Sequence, residues 1–341
     1  MKILVTGGLG FIGSHTVVEL QEEGFEVVII DDCSNASENV LDGITAISGI
    51  RPKFEKLDLR VKEDVLDFFE RHPDIDGVIH FAASKAVGES VDKPLLYYEN
   101  NLNTLIYLLQ CLSKKEKAPF IFSSSCTVYG QADKMPITED APVKPAESPY
   151  GNTKQIGEEI LKDSCKVSPH LQVVALRYFN PIGAHPSADI GELPIGVPQN
   201  LVPFITQTAA GLREKLSVFG NDYPTPDGTC IRDYIHVVDL AKAHVVALQR
   251  ILNGKQQENY EVFNVGTGKG SSVLEVIESF ERVSGKSLNY VIADRRPGDI
   301  VSAYANTKRA NEELGWKAVS TLDDAMKSAW DWEKKIRDIN S

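Results

Sequence analysis

Tyr150 and Lys154 are separated by four positions in the segment that begins at Ser148. On a helix this spacing places a phenol and an ammonium on the same face. A cation about 5 Å away would lower the tyrosine pKa of about 10 by roughly two units at an effective dielectric constant of about 20. Ser148 as N-cap and Pro149 at the first helical position predict that a helix begins here. The pair therefore predicts a general base, and the alternative is an ordinary helix with an exposed lysine.

A glycine-rich turn near the N-terminus predicts a phosphate-binding site. A short apolar run over residues 2–6 is followed by Gly7, Gly10 and Gly13, and a helical pattern resumes at Ser14. The glycines allow a tight turn, close approach to a pyrophosphate and close helix packing, while the helix N-terminus offers free N–H groups. The alternative is a glycine-rich turn without a ligand.

The second apolar strand specifies the kind of dinucleotide. Residues 26–30 end at Asp31 and Asp32, which lie at the distance where a carboxylate holds the adenosine ribose hydroxyls. No arginine or lysine occurs between Asp31 and Arg51 to receive a 2′-phosphate. We therefore predict NAD rather than NADP.

The composition is that of an ordinary globular protein. The chain has 341 residues, of which 42% are hydrophobic and 25% charged, enough for two domains or one large domain with a lobe. It has no run of eighteen apolar residues, and a strand begins almost at once, so we expect neither a membrane span nor a signal peptide, and a cytoplasmic location. The net charge of −12 argues against binding to nucleic acid.

The cysteines indicate no metal site. The chain has five of them, an odd number, and none forms a Cys-x-x-Cys pair. This pattern argues against both a disulfide framework and a zinc site. We assign no chemistry to Cys33, Cys111, Cys126, Cys165 and Cys230.

Alternating strand and helix patterns predict the fold class. Helices are expected over 61–72 and 101–115, and strands over 77–83, 119–125 and 173–180. This order predicts an α/β protein with a Rossmann-type, doubly wound parallel sheet, whose ligands bind beyond the carboxyl ends of the strands.

The second half of the chain predicts a smaller lobe. Residues 181–203 and 220–228 are rich in proline and glycine and lack periodicity, which indicates ordered loops around a substrate. We expect residues 1–180 to form an NAD-binding domain to which a segment of about 233–267 returns. Residues 181–341 would then form mainly a C-terminal substrate-binding lobe.

Several motifs together carry a family resemblance. They are the glycine turn, the segments 80–83, 123–130 and 177–181, and the Tyr150 and Lys154 pair. Together they resemble the extended short-chain dehydrogenase/reductases and, within that family, the UDP-galactose 4-epimerases. The resemblance continues through 85–90, 220–223, 232–236 and 296–299, so it covers nearly the whole chain.

The resemblance implies reversible epimerisation at carbon 4 of a UDP-hexose. In that family NAD removes hydride from carbon 4, the 4-keto sugar turns over in the pocket, and hydride returns to its other face. Tyr150 would be the general base and acid, and Lys154 would bond the nicotinamide ribose and lower the tyrosine pKa. Ser125 would hydrogen-bond the 4-hydroxyl and its developing oxyanion, with help from Thr127. The alternative for Ser125 is a strand-end hydroxyl that caps backbone groups.

The resemblance also implies a set of NAD-binding residues. Asp58 follows a strand-like alternation, although it could equally be an exposed turn carboxylate, and Lys85 could be a solvated charge. The implied set is Gly7, Gly10, Phe11, Ile12, Gly13, Asp31, Asn35, Asp58, Leu59, Phe81, Ala82, Ala83, Lys85, Asn100, Ser123, Tyr150, Lys154 and Phe179.

A second implied set holds the nucleotide sugar. A diphosphate on an acidic protein needs bidentate cations, which arginine supplies better than lysine. Arg295 could be a surface charge, and Asn180 and Asn200 could simply satisfy loop backbone. The implied set is Lys85, Ser125, Tyr150, Phe179, Asn180, Asn200, Leu201, Ser217, Val218, Phe219, Arg232, Arg296, Asp299 and Ala303.

Ala303 departs from the family pattern. Epimerases restricted to glucose and galactose tend to carry a bulky residue, usually tyrosine, four positions after the aspartate that corresponds to Asp299. Tyr304 follows Ala303, but in a strand its side chain would face the other way. We therefore expect the pocket to admit a 2-acetamido group, so that UDP-GlcNAc and UDP-GalNAc would also react, unless a neighbour fills the gap.

Other functions remain open at this stage. A dehydratase of the same family needs an additional acid and base, usually an Asp-Glu pair after the strand-end hydroxyls, where this chain has Cys126, Thr127 and Val128. A decarboxylase or an oxidising relative, or a catalytically inactive NAD-sensing protein, would share the fold. The resemblance also implies a homodimer; residues 101–115 and 150–166 carry apolar residues in helical spacing that suit an interface or a core.

Overall fold

The computed structural model describes residues 1–296 and 299–339, and its centre is a parallel sheet of seven strands. The strand order across this sheet is β11-β6-β5-β4-β1-β2-β3. The α/β class and the doubly wound parallel sheet are thus confirmed. The strands in chain order are β1 Lys2–Thr6, β2 Glu26–Asp31, β3 Lys53–Lys56, β4 Gly77–His80, β5 Ala118–Ser123, β6 Leu171–Tyr178, β7 Asn180–Ile182, β8 Leu216–Phe219, β9 Ile231–Arg232, β10 Tyr234–His236, β11 Tyr260–Val265, β12 Ser271–Ser272, β13 Tyr290–Ala293 and β14 Ser302–Ala303.

Helices cover both faces of this sheet. Successive side chains of a strand point to opposite faces, so Val5 of β1 packs in the cluster with Val17 and Leu248, while Leu4 packs in the cluster with Phe68 and Leu105. The first face therefore carries α1 and α8, and the second carries α3, α5 and α6. The helices are α1 Phe11–Glu22, α2 Val40–Ser48, α3 Lys62–Arg71, α4 Val87–Asp92, α5 Pro94–Leu112, α6 Pro149–Val167, α7 Leu201–Ala209, α8 Val237–Leu252, α9 Val273–Ser284 and α10 Leu322–Ile336.

The strand order creates a binding crevice beyond the carboxyl ends. β1 lies between β2 and β4, so the chain moves outward from β1 on one side and later outward on the other. At such a switch point the loops after neighbouring strands diverge and leave room for a ligand. The glycine turn follows β1, and residues 81–83 follow β4, so both lie at this crevice.

A smaller lobe is built from later segments. Its core contains Val202 of α7, Val218 of β8, Phe280 of α9 and Trp330 of α10. This part of the chain also forms three short sheets, with the strand orders β10–β7, β12–β9–β14 and β13–β8. Residues 181–203 and 220–228 are largely loops, as predicted, although β7 and the start of α7 fall within the first.

Some predicted element bounds were wrong. α5 begins at Pro94 rather than at residue 101 and ends at Leu112 rather than at 115. Its first turn exposes Leu95 and buries Tyr97, so the apolar residues there do not follow helical spacing. The strand predicted over 173–180 ends at Tyr178, and Asn180 begins β7, which pairs with β10 outside the main sheet.

Across the described ranges, no helix is both long and apolar enough to cross a membrane.

Candidate active site

The helix that carries the proposed base begins as its sequence predicts. The Ser148 hydroxyl accepts a hydrogen bond from the backbone N–H of Gly151 at 3.2 Å, and Pro149 occupies the first turn. Tyr150 and Lys154 follow on one face, 8% and 5% exposed. The helix therefore presents a buried phenol and a buried ammonium toward the sheet.

Both side chains meet the carboxyl end of β5. The Lys154 ammonium donates to the carbonyl oxygen of Ser123 at 2.8 Å and lies 5.0 Å from the centre of the Phe122 ring. Its distance to the centre of the Tyr150 ring is 5.9 Å. The structure thus brings Tyr150, Lys154, Ser123 and Ser125 together.

The predicted lowering of the Tyr150 pKa by Lys154 is wrong for the protein alone. Burial raises the pKa of Tyr150, and only the neighbouring Ser125 hydroxyl, as a hydrogen-bond partner, acts against that rise. Burial also lowers the pKa of Lys154 to about 8, although Glu158 acts in the opposite direction. Desolvation dominates both shifts, and the ammonium is bonded to the carbonyl oxygen of Ser123 rather than to the phenol.

Ser125 and Thr127 have different hydrogen-bond states. The Ser125 oxygen accepts from the backbone N–H of Thr127 at 3.2 Å and caps the short 3-10 helix Cys126–Tyr129, which matches the alternative of a backbone cap. As an acceptor there, Ser125 still has its own hydrogen to donate. The Thr127 Oγ1 atom is buried without a hydrogen-bond partner. Both hydroxyls can therefore donate to an oxygen placed beside Tyr150.

The glycine turn fits a dinucleotide. Gly7 has a φ of +67°, and a Cβ atom there would lie 2.8 Å from the backbone nitrogen of Ala82. A Cβ atom on Gly13 would lie 2.2 Å from the carbonyl oxygen of Gly7. Side chains at Gly7 and Gly13 would therefore collide with backbone atoms, and the absence of side chains allows the tight turn that a dinucleotide-binding loop needs. Helix α1 begins at Phe11, and its N-cap residue, Gly10, has no side chain that could accept hydrogen bonds from the first turn. The first N–H groups of the helix therefore remain available to a ligand.

The end of β2 fits a ribose with free hydroxyls. The Asp31 carboxylate accepts from the backbone N–H groups of Leu9 at 3.1 Å and Cys33 at 2.9 Å, and burial raises its pKa. Asn35 is exposed in the following loop. Lys56 of β3 forms an ion pair with Glu38 at 3.3 Å, so its charge is already matched and not directed at a 2′-phosphate. A carboxylate at this position, without an unpaired cation beside it in the part of the chain that the structure describes, fits NAD rather than NADP.

Asp58 and Leu59 follow β3. The Asp58 carboxylate forms a salt bridge with Arg60 at 2.7 Å, which resembles the alternative of a turn carboxylate. Leu59 is buried in the core, so its backbone rather than its side chain faces the crevice edge.

The loop after β4 supplies a second group. Phe81, Ala82 and Ala83 are partly exposed at the crevice. Asn100 donates to the Ser84 hydroxyl at 2.9 Å, which ties α5 to this loop. The structure thus places these residues beside the glycine turn.

The candidate diphosphate residues cluster on the smaller lobe. Arg296 lies 4.8 Å from the centre of the Phe219 ring and bonds Asp299 at 3.0 Å. Arg232 donates to two backbone carbonyl oxygens, those of Ile231 and residue 300, at 2.8 Å each, and its Nη2 lies 3.5 Å from Asp299. Two guanidinium groups therefore share one carboxylate near an aromatic ring.

The β8 residues divide between this cluster and the core. Ser217 is partly buried, whereas Val218 is fully packed in the core of the smaller lobe, so only its backbone can meet a ligand. The backbone N–H of Asn180 donates a hydrogen bond to the carbonyl oxygen of Asp233 at 2.9 Å. Phe179 is buried between the two lobes.

Ala303 is buried at the end of β14. It packs in an apolar cluster with Val128, Ile137 and Phe179. Tyr304 follows the last residue of β14, and its Cδ1 atom would be 3.2 Å from a Cβ on Gly270. That its side chain faces away from a sugar pocket stays a prediction.

Sequence patterns missed one acidic residue that joins the lobes. Glu192 is bonded to the Asn200 amide at 2.6 Å and lies 3.9 Å from the Lys85 ammonium, and burial raises its pKa. Leu201 begins α7 directly after Asn200. Glu192 lies in a Pro- and Gly-rich loop without periodicity, and its charged partner Lys85 is distant in sequence, so no local signal marked it.

Further residues that the sequence analysis did not identify contact helix α6 or the end of β5 beside it. Glu158 binds Arg177 and Ser124, and Tyr178 shares a hydrogen bond of 2.8 Å with the Ser123 hydroxyl. The one available signal was the position of Glu158 four residues after Lys154. In residues 1–296 and 299–339, no three His, Cys, Asp or Glu side chains group as metal ligands would.

The fold and site define a class of enzyme. A doubly wound sheet with a glycine turn after β1 and a Tyr150–Lys154 helix beside β5 is the arrangement of an NAD-linked, short-chain dehydrogenase/reductase-type enzyme. Residues 4–329 match the family model described as GDP-mannose 4,6 dehydratase.

Comparison with known proteins identifies the family within this class. The chain is 50% identical to a UDP-glucose 4-epimerase of Bacillus subtilis (strain 168), over 98% of this chain and 97% of that protein. A crystal structure of a UDP-glucose 4-epimerase from Stenotrophomonas maltophila, with bound NAD and formylated UDP-arabinopyranose, matches with a TM-score of 0.95 and 45% identity over 100% of both chains. One from Bifidobacterium longum, in complex with NAD+ and UDP, matches with a TM-score of 0.93 and 46% identity over 98% of both. The chain belongs to the UDP-glucose 4-epimerase family.

Proposed function

We propose that this protein interconverts UDP-glucose and UDP-galactose at carbon 4 of the hexose, with NAD as its bound cofactor. The observation that carries the proposal is the meeting of Tyr150, Lys154 and Ser125 at the carboxyl end of β5, at the same edge of the sheet as the glycine turn. Family membership supports the same activity.

Tyr150 and Ser125 would move and hold the proton of the reacting hydroxyl. When bound, NAD supplies the hydride acceptor and donor for carbon 4. Ionised Tyr150 would accept the 4-hydroxyl proton and later return it, while Ser125 and Thr127 would donate hydrogen bonds to the oxygen. Lys154 would stabilise the Tyr150 phenolate and hold the nicotinamide ribose. Because burial holds the phenol neutral, ionisation of Tyr150 requires the Lys154 ammonium to stay protonated.

Separate surfaces would hold the cofactor and the sugar nucleotide. We assign the pyrophosphate of NAD to residues 7–13 and its adenosine ribose to Asp31, with the remaining implied residues around them. Arg232 and Arg296 would bind the UDP diphosphate, and Phe219 would pack against the nucleotide. Asn180, Asn200 and the backbone of 217–218 would complete the nucleotide pocket.

Ala303 supports turnover of acetamido sugars as a second activity. It is buried with only a methyl side chain, and the side chain of Tyr304 is predicted to face away from the sugar pocket. We expect UDP-GalNAc to react as well as UDP-galactose, and Ala303→Tyr to abolish only the reaction of the acetamido sugar. No detectable UDP-GalNAc turnover by the parent enzyme would end this proposal.

A dehydratase is the competing activity suggested by the broader family model. Elimination needs a carboxylate close to the strand-end hydroxyls, but residues 126–128 are Cys, Thr and Val. Epimerisation needs none, because Tyr150 alone can remove and return the proton. A product without water loss would separate epimerisation from dehydration. No net change in NADH absorbance during turnover would exclude a decarboxylating or oxidising relative.

The assembly and location are also proposals. We propose a homodimer formed through α5 and α6, whose outer groove is lined by residues such as Ile106, Leu109 and Ile160. We propose a cytoplasmic location, with which the free thiols of the cysteines agree. We further propose that residues 1–180 and 233–267 form the NAD domain, and that 181–341 form mainly the substrate lobe.

The test is a product assay with UDP-glucose, UDP-galactose and their acetamido counterparts, without added NAD. The purified protein should convert each sugar to its C4 epimer, and Tyr150→Phe should lose this activity. Tyr290→Phe changes an exposed tyrosine of β13 and serves as the matched control. Equal activity of Tyr150→Phe and the parent would refute the assigned mechanism.

A further inference from the structure

The catalytic helix has a third buried residue on the same face. Tyr150, Lys154 and Glu158 follow one another at intervals of four positions on α6, and Glu158 is 3% exposed. This spacing stacks the three side chains along one stripe of the helix. The mechanism above uses the first two, so the role of the third is open.

The three residues meet three consecutive serines. Lys154 bonds the carbonyl oxygen of Ser123, and Tyr150 faces the Ser125 hydroxyl. Glu158 accepts a hydrogen bond of 2.7 Å from the hydroxyl of Ser124. The end of β5 is therefore attached to α6 at every residue from 123 to 125.

Glu158 is itself fixed by a buried arginine. Arg177 of β6 donates from Nε to Oε1 at 2.8 Å and from Nη2 to Oε2 at 2.6 Å. The same guanidinium donates to the Tyr129 hydroxyl at 2.9 Å. Lys162 adds a weak contact at 4.0 Å. Such a bidentate pair holds a carboxylate in one orientation.

We propose that Glu158 is a positioning residue that sets the register between the Tyr150–Lys154 face of α6 and the serines at the end of β5. The inference rests on the proposed function, because it assigns Glu158 a role only through Tyr150, Lys154 and Ser125. Ser124 lies between the two residues that the catalytic pair contacts, so its displacement moves both. A misplacement of about 1 Å near reacting groups costs on the order of a hundredfold in rate.

Glu158 also supplies the negative charge nearest to Lys154. The titratable groups around the ammonium are Tyr150 and Glu158 on α6, His80 on β4 and, beside Tyr150, Tyr178 on β6, Cys126 and Tyr97 on α5. Burial raises the pKa of Tyr97, so its phenol is neutral at pH 7. Burial lowers the pKa of His80 to about 3 and raises those of Tyr178 and Cys126 to about 12, so these three are neutral at pH 7. Glu158 alone among them is anionic, because Arg177 lowers its pKa. It therefore favours the protonated form of Lys154.

A second buried pair in the molecule provides a matched control. Arg250 of α8 binds Glu261 of β11 in the same bidentate way, at 2.7 and 2.9 Å, and both side chains are nearly as buried. This pair is remote from Lys154 and joins a helix to the sheet without touching residues 123–125. A purely structural role for Glu158 predicts that the two pairs respond alike to substitution.

The experiment compares Glu158→Gln with Glu261→Gln in the NAD-bound enzyme. We expect both to lower the melting temperature, because each leaves a buried arginine without its counter-ion. Only Glu158→Gln should lower kcat, by about tenfold to a hundredfold, and move the alkaline limb of the kcat–pH profile at least about one pH unit lower. An unmoved limb in Glu158→Gln, or an equal shift in Glu261→Gln, would overturn the proposal.

Ser124→Ala tests the register without removing a charge. It deletes the hydrogen bond to Glu158 but leaves the Arg177 pair intact, so it remains informative even if Glu158→Gln does not fold. We expect kcat to fall about tenfold with the alkaline limb unmoved, which corresponds to one lost hydrogen bond. A parental kcat would overturn the role of Ser124. The proposed function is tested separately, by activity in the parent enzyme and its loss in Tyr150→Phe. The results for Glu158 and Ser124 do not affect that test.

Discussion

The two halves of the crevice are built in different ways. The cofactor half consists of a glycine turn, a buried carboxylate and a buried Tyr–Lys pair, all fixed by backbone contacts. The sugar-nucleotide half consists of side chains that pair with each other: Arg296, 54% exposed, shares Asp299 with Arg232. If the proposed assignments hold, the first half is preformed for its ligand, whereas the second would have to exchange ion pairs when a diphosphate binds.

This difference has an energetic cause. A backbone cradle loses no side-chain entropy when it binds, so it suits a cofactor that stays in place. Arginines that already hold a carboxylate must leave it for a phosphate, and the net gain is the difference between two ion pairs. Such a site suits a substrate that must leave after each turnover.

We expect the largest effect from Gly13→Ala, a substitution in the cofactor half. A Cβ there would lie 2.2 Å from the Gly7 carbonyl oxygen, so the turn must open. We expect NAD affinity to fall by at least about a hundredfold, as for a misplacement of about 1 Å, while UDP still binds. NAD content after purification and calorimetric titration with UDP would measure this. Gly88→Ala, where a Cβ meets open space, is the control, and parental NAD content in Gly13→Ala would contradict the prediction.

Lys154→Met tests how much the burial of the Lys154 ammonium lowers the free energy of unfolding. Burial lowers the Lys154 pKa from 10.5 to about 8, so the unfolded chain binds more protons than the folded chain between these values. The free energy of unfolding of the parent should therefore rise from pH 8 to pH 10.5, and that of the variant should not. At pH 7 the variant should be inactive but about 2 kcal/mol more stable, allowing for the lost bond to Ser123.

Urea unfolding of the nucleotide-free protein at pH 7 and pH 10 would measure these differences. Lys162→Met replaces a lysine of the same helix that is 43% exposed, and it should change neither quantity. A Lys154→Met variant that is less stable than the parent at pH 7 would show that the ammonium stabilises the fold.

Arg296→Ala probes the sugar-nucleotide half. The residue is exposed and lies 3.0 Å from Asp299, so its loss should not lower the melting temperature. We expect KM for UDP-galactose to rise about tenfold with kcat unchanged, as for one charge-assisted hydrogen bond made equally in ground and transition states. Arg295→Ala is the matched control, because that guanidinium is held by Asp222 at 2.7 Å. Equal effects of the two substitutions would refute the assignment of Arg296.

Glu192→Gln should have the smallest effect. Its carboxylate faces Lys85 and Asn200 and opposes the charge of a diphosphate bound beside them. The variant should lower KM about threefold, which is the scale of a weakly screened charge interaction. Because burial raises the Glu192 pKa, the parental KM should rise with pH through that pKa while that of the variant stays flat. A higher KM in the variant would mean that Glu192 helps binding. Glu116→Gln, on the surface, is the control.

Local signals in the sequence were enough for the cofactor half. Gly7, Gly10 and Gly13 lie in one turn, and Tyr150 and Lys154 in one helical turn, so spacing alone brings each set together. The alternation of strands and helices likewise predicted the sheet. The start of α5 was missed because residues 94–100 are short of apolar periodicity.

Features that depend on burial or on distant partners could not be predicted. The direction of the Tyr150 pKa shift was wrong because the sequence does not show how completely the phenol is desolvated. Glu192 was missed because Lys85 and Asn200 approach it only after both lobes have folded. Glu158 was missed because its meaning comes from Arg177 on another strand.

The path of the chain between the two lobes limits how this protein can be divided. After β6 the chain enters the smaller lobe, then returns through α8, which packs on α1, and through β11, which pairs with β6. A fragment ending near residue 180 would leave β6 as a bare sheet edge, prone to pairing with other chains. Recombination cannot transfer the nucleotide-binding half as one continuous piece, so gene fusions and domain swaps must carry both lobes together.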